Sequence, residues 1–328
     1  MLGSAGTGLI DAGDPVAKSP NVVLHLGAHK TATSLIQLYL KRRPRELRRM
    51  GVVALSREEC TDGIGWGYLP RTEPSRLQAA VEQASRRPYE LKGGVVLPSA
   101  LNSVAGRPRT VIISYENALW KPFRADGGPM YPRAPGYALS LAKCLERYSP
   151  RVIYYIRSQE EFLESYYLQT VHEGGTASFA EWMQAVNLER LSWSRVVDSL
   201  AAAFGPERVT LKDFAELRKG PNAFLADFLH TCDPSLNPTV SFKQKRNISI
   251  SQRGLEIAMA INPHLETVVE RQTTRRFLQR NFNNTTSPRP VLLDEDTKAA
   301  VRERYAAENR ELLLKYQGPE RADQDSRR

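Results

Sequence analysis

Residues 27–34 combine one cation with several hydroxyl groups in a very short span. Lys30 is followed in order by Thr31, Ala32, Thr33 and Ser34. A lysine and hydroxyls beside the exposed N–H groups of a helix start form a site for a phosphate or sulfate group. The alternative is an ordinary turn in which one Thr or Ser caps the helix. A cap needs a single hydroxyl, whereas this segment offers three, so the pattern favours an anion-binding loop.

The residues on either side of this segment predict the elements that position it. Val22, Val23 and Leu24 form a short apolar run before it. Apolar residues then recur at helical spacing, at Leu35, Leu38 and Tyr39. This pattern predicts a strand, a tight loop and the start of a helix, with Lys30 in the loop.

A second candidate anion site lies in the middle of the chain. Arg157 follows the clearest predicted strand, residues 151–156, and Ser165 comes eight residues later in a predicted helix that begins near Gln159. Ser165 comes two helical turns into that helix. This spacing places the side chains of Arg157 and Ser165 on the same side of the helix. The alternative is an ion pair at the strand end and an unrelated helix serine.

A candidate general base follows a third predicted strand, residues 110–114. Glu116 comes directly after this strand, and a carboxylate or histidine at a strand end can accept a proton from a reacting hydroxyl. The alternative for Glu116 is a surface position or a salt bridge to a cation in the pocket. His29, next to Lys30, is the competing base and could instead line the pocket. His25 lies within the first strand and is expected to pack in the interior.

The loop resembles the 5′-phosphosulfate loop of sulfotransferases that use PAPS, 3′-phosphoadenosine 5′-phosphosulfate. That family has a lysine, one further residue, a glycine and two Thr or Ser residues after its first strand. Lys30 to Ser34 match this pattern, except that Ala32 replaces the glycine. An alanine is expected there only if its φ is negative. The resemblance implies that residues 30–34 bind the 5′ end of the cofactor and that Arg157 and Ser165 bind its 3′-phosphate.

The same resemblance implies a fold and a reaction. The fold is a P-loop-like three-layer α/β fold with a central parallel sheet, which the alternation of strands and helices also predicts. The reaction is transfer of a sulfuryl group from PAPS to a hydroxyl or amine, with 3′,5′-ADP as product and a carbohydrate as the expected acceptor. Lys30 would stabilise the charge on the departing oxygen, and Glu116 or His29 would take the proton. No metal is expected.

Composition sets further expectations. The chain has 328 residues, is 41% hydrophobic and 25% charged, and carries a formal net charge of +10, which favours anionic partners. Its three cysteines are far apart in sequence and indicate a reducing compartment, so a cytoplasmic location is expected. No apolar run approaches ~18 residues, so no membrane span is expected, although peripheral membrane contact is possible. Residues 1–20 and 318–328 are expected to be flexible tails of a single α/β domain, residues 21–317.

Two other functions remain open from the sequence. A kinase or nucleotide hydrolase could use Lys30, although Gly27 lies too close to Lys30 for the nucleotide-triphosphatase pattern G-x-x-x-x-G-K-[ST]. A non-catalytic protein that binds a polyanion would fit the basic charge, but no nucleic-acid-binding module is recognised. Arg275, Arg276 and Arg280 could line a groove for an anionic acceptor, or could lie in solvent.

Overall fold

The computed structural model describes residues 20–55, 57–60, 74–86, 109–124, 126–243, 249–285 and 287–317. The predicted tails, residues 1–20 and 318–328, therefore lie outside the described residues except for Pro20.

Five strands form one parallel sheet in the order β2-β3-β1-β4-β5. Their bounds are β1 Asn21–His25, β2 Val52–Leu55, β3 Thr110–Ser114, β4 Arg151–Ile156 and β5 Val209–Asp213. The sheet confirms the predicted α/β class with a central parallel sheet.

Twelve α-helices connect or follow these strands in the described part of the chain. In chain order they are α1 Thr33–Arg42, α2 Pro44–Arg49, α3 Arg57–Cys60, α4 Pro74–Arg86, α5 Ala134–Cys144, α6 Gln159–His172, α7 Phe179–Gln184, α8 Ser194–Phe204, α9 Pro221–Cys232, α10 Gln252–Ile261, α11 Val268–Asn281 and α12 Glu295–Lys315. None of the described helices combines the length and apolar character needed to cross a membrane.

The core lies on both faces of the sheet, because successive side chains of each strand point in opposite directions. In β1, Val22 and Leu24 pack with residues of α4, α5, α8 and α12, whereas Val23 packs with residues of α1 and α9. The result is three layers, helices on sheet on helices, as the sequence predicted. A smaller apolar cluster joins α6 to α10 and α11.

The central position of β1 determines where the candidate site forms. Strands β3 and β4 flank β1, so their carboxyl ends meet at one edge of the sheet. The segment after β1 contains Lys30, the segment after β3 contains Glu116, and the segment after β4 contains Arg157. Ligands of open parallel sheets bind in the crevice beyond the carboxyl ends of the strands, which is where these residues lie.

Candidate functional site

The loop after β1 has an unusual backbone. Lys30 and Ala32 both have a left-handed conformation, with φ of +66° and +61°. The sequence-based expectation of a negative φ at Ala32 was therefore wrong. An L-residue in this region costs roughly 1–2 kcal/mol, so surrounding contacts must hold the loop in place. One such contact comes from Arg157, whose Nη1 donates to the backbone oxygen of Lys30 at 3.2 Å.

Helix α1 begins without a side-chain cap. Ala32 occupies the N-cap position, and neither a side-chain cap bond nor an acidic residue in the first turn accompanies it. Across the described part of the chain, the backbone N–H groups of residues 31–34 donate to no protein atom. An ordinary capped turn is therefore not what the structure contains. Unsatisfied N–H groups at the positive end of a helix dipole are suited to an anion.

The three hydroxyl groups of the loop have different environments. Thr31 is buried, and its Oγ1 donates to the backbone oxygen of Ala28 at 2.6 Å, so this hydroxyl closes the loop on itself. Thr33 Oγ1 is buried and has no hydrogen-bond partner among the described residues. Ser34 is exposed. Because a buried hydroxyl without a partner is costly, Thr33 is the best placed of the three to contact a bound anion.

Gly27 permits the loop to close tightly above the sheet. A Cβ at this position would lie 2.9 Å from His25 Nε2 and 3.1 Å from Thr31 Oγ1. His25 itself is fully buried, as predicted, and its Nδ1 lies 2.9 Å from Ser114 Oγ. Burial lowers the pKa of His25 to about 3, so this ring is neutral. It packs against the loop from the side of the sheet.

Lys30 and Glu116 form an electrostatic pair across the crevice. Burial lowers the pKa of Lys30, and the charge of Glu116 opposes that shift. Burial likewise raises the pKa of Glu116, while the charge and the backbone N–H of Lys30 lower it. A carboxylate with a raised pKa is a stronger base, and the contact with Lys30 keeps it in the site.

His29 has a different environment from Glu116. Its side chain is only 4% exposed, its Nδ1 lies 2.8 Å from the hydroxyl oxygen of Tyr131, and its ring also hydrogen-bonds Asn117. The backbone N–H of His29 donates to the same Tyr131 oxygen at 2.9 Å. Burial lowers the pKa of His29 to about 4. The ring therefore connects the loop after β1 with Asn117 and with Tyr131, and its nitrogens contact these protein groups.

Arg157 is held on several sides. Its Nε donates to Glu161 Oε2 at 3.1 Å, and its guanidinium lies 4.7 Å from the centroid of the Phe214 ring. Trp193 Nε1 donates to the Arg157 backbone oxygen at 2.8 Å. Among the described residues, Arg157 Nη2 has no partner. The guanidinium is thus already oriented by protein contacts, and the N–H groups on its Nη2 are available to an anion.

Ser165 lies in α6, the helix predicted to contain it. It is half-buried, one helical turn beyond Glu161, the residue that contacts Arg157. Among the described residues Ser165 forms no hydrogen bond with Arg157, so its place in the same anion site stays a prediction. Glu161 also pairs with Arg218 at 3.3 Å, so a carboxylate separates Arg157 from this second, exposed arginine. Burial lowers the pKa of Arg157, and the charge of Arg289 adds to that shift, so one more cation lies near the same end of the crevice.

Backbone strain is concentrated around the crevice. The described part of the chain has five non-glycine residues with positive φ, namely Lys30, Ala32, Trp120, Tyr131 and Ser149. Four of them belong to the loop after β1 or to the segment after β3; only Ser149 lies elsewhere. A strained backbone conformation persists only where the surrounding contacts hold the residue in it. Such residues are frequent at ligand sites.

Several residues of the crevice were missed from the sequence. Tyr131 and Asn117 contact His29, Arg289 lies near Arg157, and His172 lies near Lys30. Local spacing gave no signal for these contacts, because 88 to 142 residues separate the partners in sequence. Arg275, which the sequence offered as a candidate for an acceptor groove, also lies near Lys30. Within the described ranges, no group of three or more His, Cys, Asp or Glu side chains could hold a metal ion.

Comparison with known proteins gives little further information. No family model matches the sequence, and no curated protein matches it. A crystal structure of a sulfotransferase from Alicyclobacillus acidocaldarius aligns with 77% of this chain and 98% of its own, at 14% identity and a TM-score of 0.36. The function is inferred from the residues of the crevice.

Proposed function

We propose that this protein is a sulfotransferase that moves a sulfuryl group from PAPS to a hydroxyl or amine of an acceptor, with a carbohydrate as the acceptor. The observation that carries the proposal is the contact between the two anion sites. Arg157 Nη1 donates to the Lys30 backbone oxygen at 3.2 Å, so the cations of both sites border one crevice. A single nucleotide with phosphates at its 5′ and 3′ positions can touch both.

The residues of the crevice fit such a nucleotide. The uncapped start of α1, the N–H groups of residues 31–34 and the partnerless Thr33 Oγ1 suit the 5′-phosphosulfate. The free side of the Arg157 fork, with Ser165 on the same side of α6, suits the 3′-phosphate. The partnerless Thr33 hydroxyl and the Nη2 group of Arg157 are donors that the two phosphates of such a nucleotide would engage.

Lys30 supplies the main stabilisation of the transition state in this proposal. PAPS would supply an activated sulfuryl group and a departing phosphate oxygen on which negative charge grows. The ammonium group of Lys30 and the N–H groups of residues 31–34 would face that oxygen, and the loop holds them in place before the reaction begins. Fixed donors and charges stabilise developing charge without having to reorganise, an effect worth roughly 3–4 kcal/mol for one good donor.

Glu116 is the proposed general base. It pairs with Lys30, and burial raises its pKa, so it can accept the proton of an acceptor hydroxyl. His29 was the competing candidate from the sequence. Its buried ring already contacts Tyr131 and Asn117, so we assign it to positioning the segment that carries Glu116.

Nucleotide discrimination tests the proposal. Purified protein is titrated with 3′,5′-ADP, 5′-AMP and ATP with Mg²⁺, and the melting temperature is followed. We expect 3′,5′-ADP to give the largest increase, because only it can occupy both anion sites. Radiolabelled PAPS is then supplied with a panel of saccharides. A larger stabilisation by ATP with Mg²⁺, together with release of phosphate, would favour a kinase or hydrolase instead.

A further inference from the structure

Helix α11 packs against the carboxyl end of α6. Asn262, which is the C-cap of α10 and lies six residues before α11, donates from Nδ2 to the backbone oxygens of Val171 and Gly175, both at 2.8 Å. The stem of Arg271 covers Gly174, where a Cβ would meet Arg271 Cδ at 2.7 Å. These contacts fix α11 against the end of α6.

This packing of α11 determines where Arg275 lies. It lies one helical turn after Arg271 on the same face of α11, and its side chain is exposed. Burial lowers the pKa of Lys30 and of His172, and the charge of Arg275 adds to both shifts; burial raises the pKa of Glu116, and the same charge opposes that shift. These interactions agree with a position of Arg275 at the border of the crevice, one turn beyond the contact of Arg271 with Gly174.

Arg275 has no counter-charge in contact. In the described ranges, its guanidinium takes part in no ion pair and no side-chain hydrogen bond. The nearby acid Glu173 is exposed, and its Oε1 accepts a hydrogen bond from Gln169 Nε2 at 2.9 Å. Arg276, the next residue, donates from Nε to the backbone of its own helix, at Gln272. Arg275 is thus the arginine of α11 that borders the crevice without a partner.

His172, the last residue of α6, has an unmet hydrogen-bonding need at the same place. Its Nε2 is buried and has no partner among the described residues. Burial, with the charges of Arg275 and Lys30, lowers its pKa to about 3, so the ring is neutral. The neutral imidazole of His172 can donate one hydrogen bond, and the guanidinium of Arg275 supplies a positive charge. This combination suits a carboxylate.

We propose that His172 and Arg275 bind a carboxylate of the acceptor, so that the acceptor is an acidic saccharide containing a uronic acid. This inference rests on the proposed function, because it places the acceptor next to Glu116 and Lys30. The proposed function assigns Arg157 to the nucleotide, which leaves His172 and Arg275 for the acceptor. The crevice would thus recognise two different anions.

The test compares two saccharides that differ only in charge. The probes are unsulfated chondroitin tetrasaccharide and its carboxyl-reduced form, in which each carboxylate has become a hydroxymethyl group. Binding is measured by calorimetry with and without saturating 3′,5′-ADP. We expect the wild-type protein to bind the acidic form ~10-fold more tightly or better, as one charge-assisted hydrogen bond provides.

Three variants locate the preference. Arg275→Gln should abolish it, Arg276→Gln should keep it within ~2-fold, and Glu173→Gln should increase it by removing a like charge. Equal binding of both probes by the wild-type protein, including no binding of either, would overturn the inference. So would a preference that survives Arg275→Gln or is lost equally in Arg276→Gln.

The two proposals fail differently in this experiment. If 3′,5′-ADP does not bind, the sulfotransferase proposal fails, while the dependence on Arg275 can still be read without nucleotide. If 3′,5′-ADP binds and the acidic probe shows no advantage, only the acidic-acceptor inference fails. A further variant, His172→Phe, keeps the ring volume but removes Nε2, and should weaken the acidic probe ~5-fold with no effect on 3′,5′-ADP.

Discussion

Replacing Arg157 with glutamine should remove the ability to distinguish 3′,5′-ADP from 5′-AMP. The Arg157 side chain is 18% exposed, its Nε is used by Glu161 and its Nη1 by the Lys30 backbone oxygen. The remaining N–H groups, including both on Nη2, can form two charge-assisted hydrogen bonds with a 3′-phosphate. At roughly 1.5–3 kcal/mol each, they are worth at least about 3 kcal/mol.

A loss of about 3 kcal/mol corresponds to ~100-fold in Kd, since each 1.4 kcal/mol is about tenfold. We therefore expect Arg157→Gln to weaken 3′,5′-ADP ~100-fold and 5′-AMP by less than ~3-fold, as measured by isothermal titration calorimetry. Arg157→Lys should fall between, because an ammonium keeps the charge but lacks the two-pronged geometry.

Arg151→Gln is the matched control. Arg151 begins the same strand at the opposite edge of the sheet, where its Nε donates to Asn21 Oδ1 at 3.3 Å. Its replacement should leave both affinities unchanged. If Arg157→Gln weakens both nucleotides equally, Arg157 acts only by bracing the Lys30 loop, and the assignment of a 3′-phosphate site is refuted.

Three further predictions concern the loop and the base. Lys30→Met should lower kcat ~10²-fold or more in an assay with labelled PAPS, because the departing oxygen loses a fixed cation; a near-normal rate would remove Lys30 from the mechanism. Glu116→Gln keeps an oxygen for the Lys30 N–H but cannot accept a proton, so it should bind 3′,5′-ADP normally and lose turnover. In the wild-type protein kcat/KM should rise with pH through an acid limb above 4.5, since burial raises the pKa of Glu116 and the ionised form is active; a limb at or below 4.5 would contradict this role. Gly27→Ala should lower the free energy of unfolding by ~1–3 kcal/mol in chemical denaturation, because its Cβ would lie 2.9 Å from His25 Nε2. Gly136→Ala in α5, where a Cβ meets nothing within 4 Å, should be neutral or stabilising.

The features that could be predicted from the sequence are local ones. Apolar runs and helical spacing located β1 and α1, and the cation between them located the loop. Arg157 was found because it directly follows the most apolar strand. Each of these signals lies within about ten residues of the feature that it predicts, and periodicity reports such short-range patterns well.

The backbone of Ala32 and the surroundings of His29 could not be predicted in this way. A left-handed alanine is locally unfavourable, and the loop that contains it is held by Arg157, a residue that follows another strand and donates to the Lys30 backbone oxygen. His29 looked like a base because of its position beside Lys30. Its burial depends on Tyr131, which is 102 residues away in sequence, and no local pattern reports such a contact.

The position of β1 at the centre of the sheet has a consequence for how the protein folds. Asn21 pairs with Thr110 of β3, and Val23 with Arg151 of β4, so β1 is synthesised roughly a hundred residues before the strands that pair with it in the sheet. Chains dominated by such distant pairings fold slowly, because loop closure must precede the stabilising contacts. The pairing of β1 with β3 and β4 therefore waits until both have been synthesised, and the crevice at their carboxyl ends can form only after that pairing.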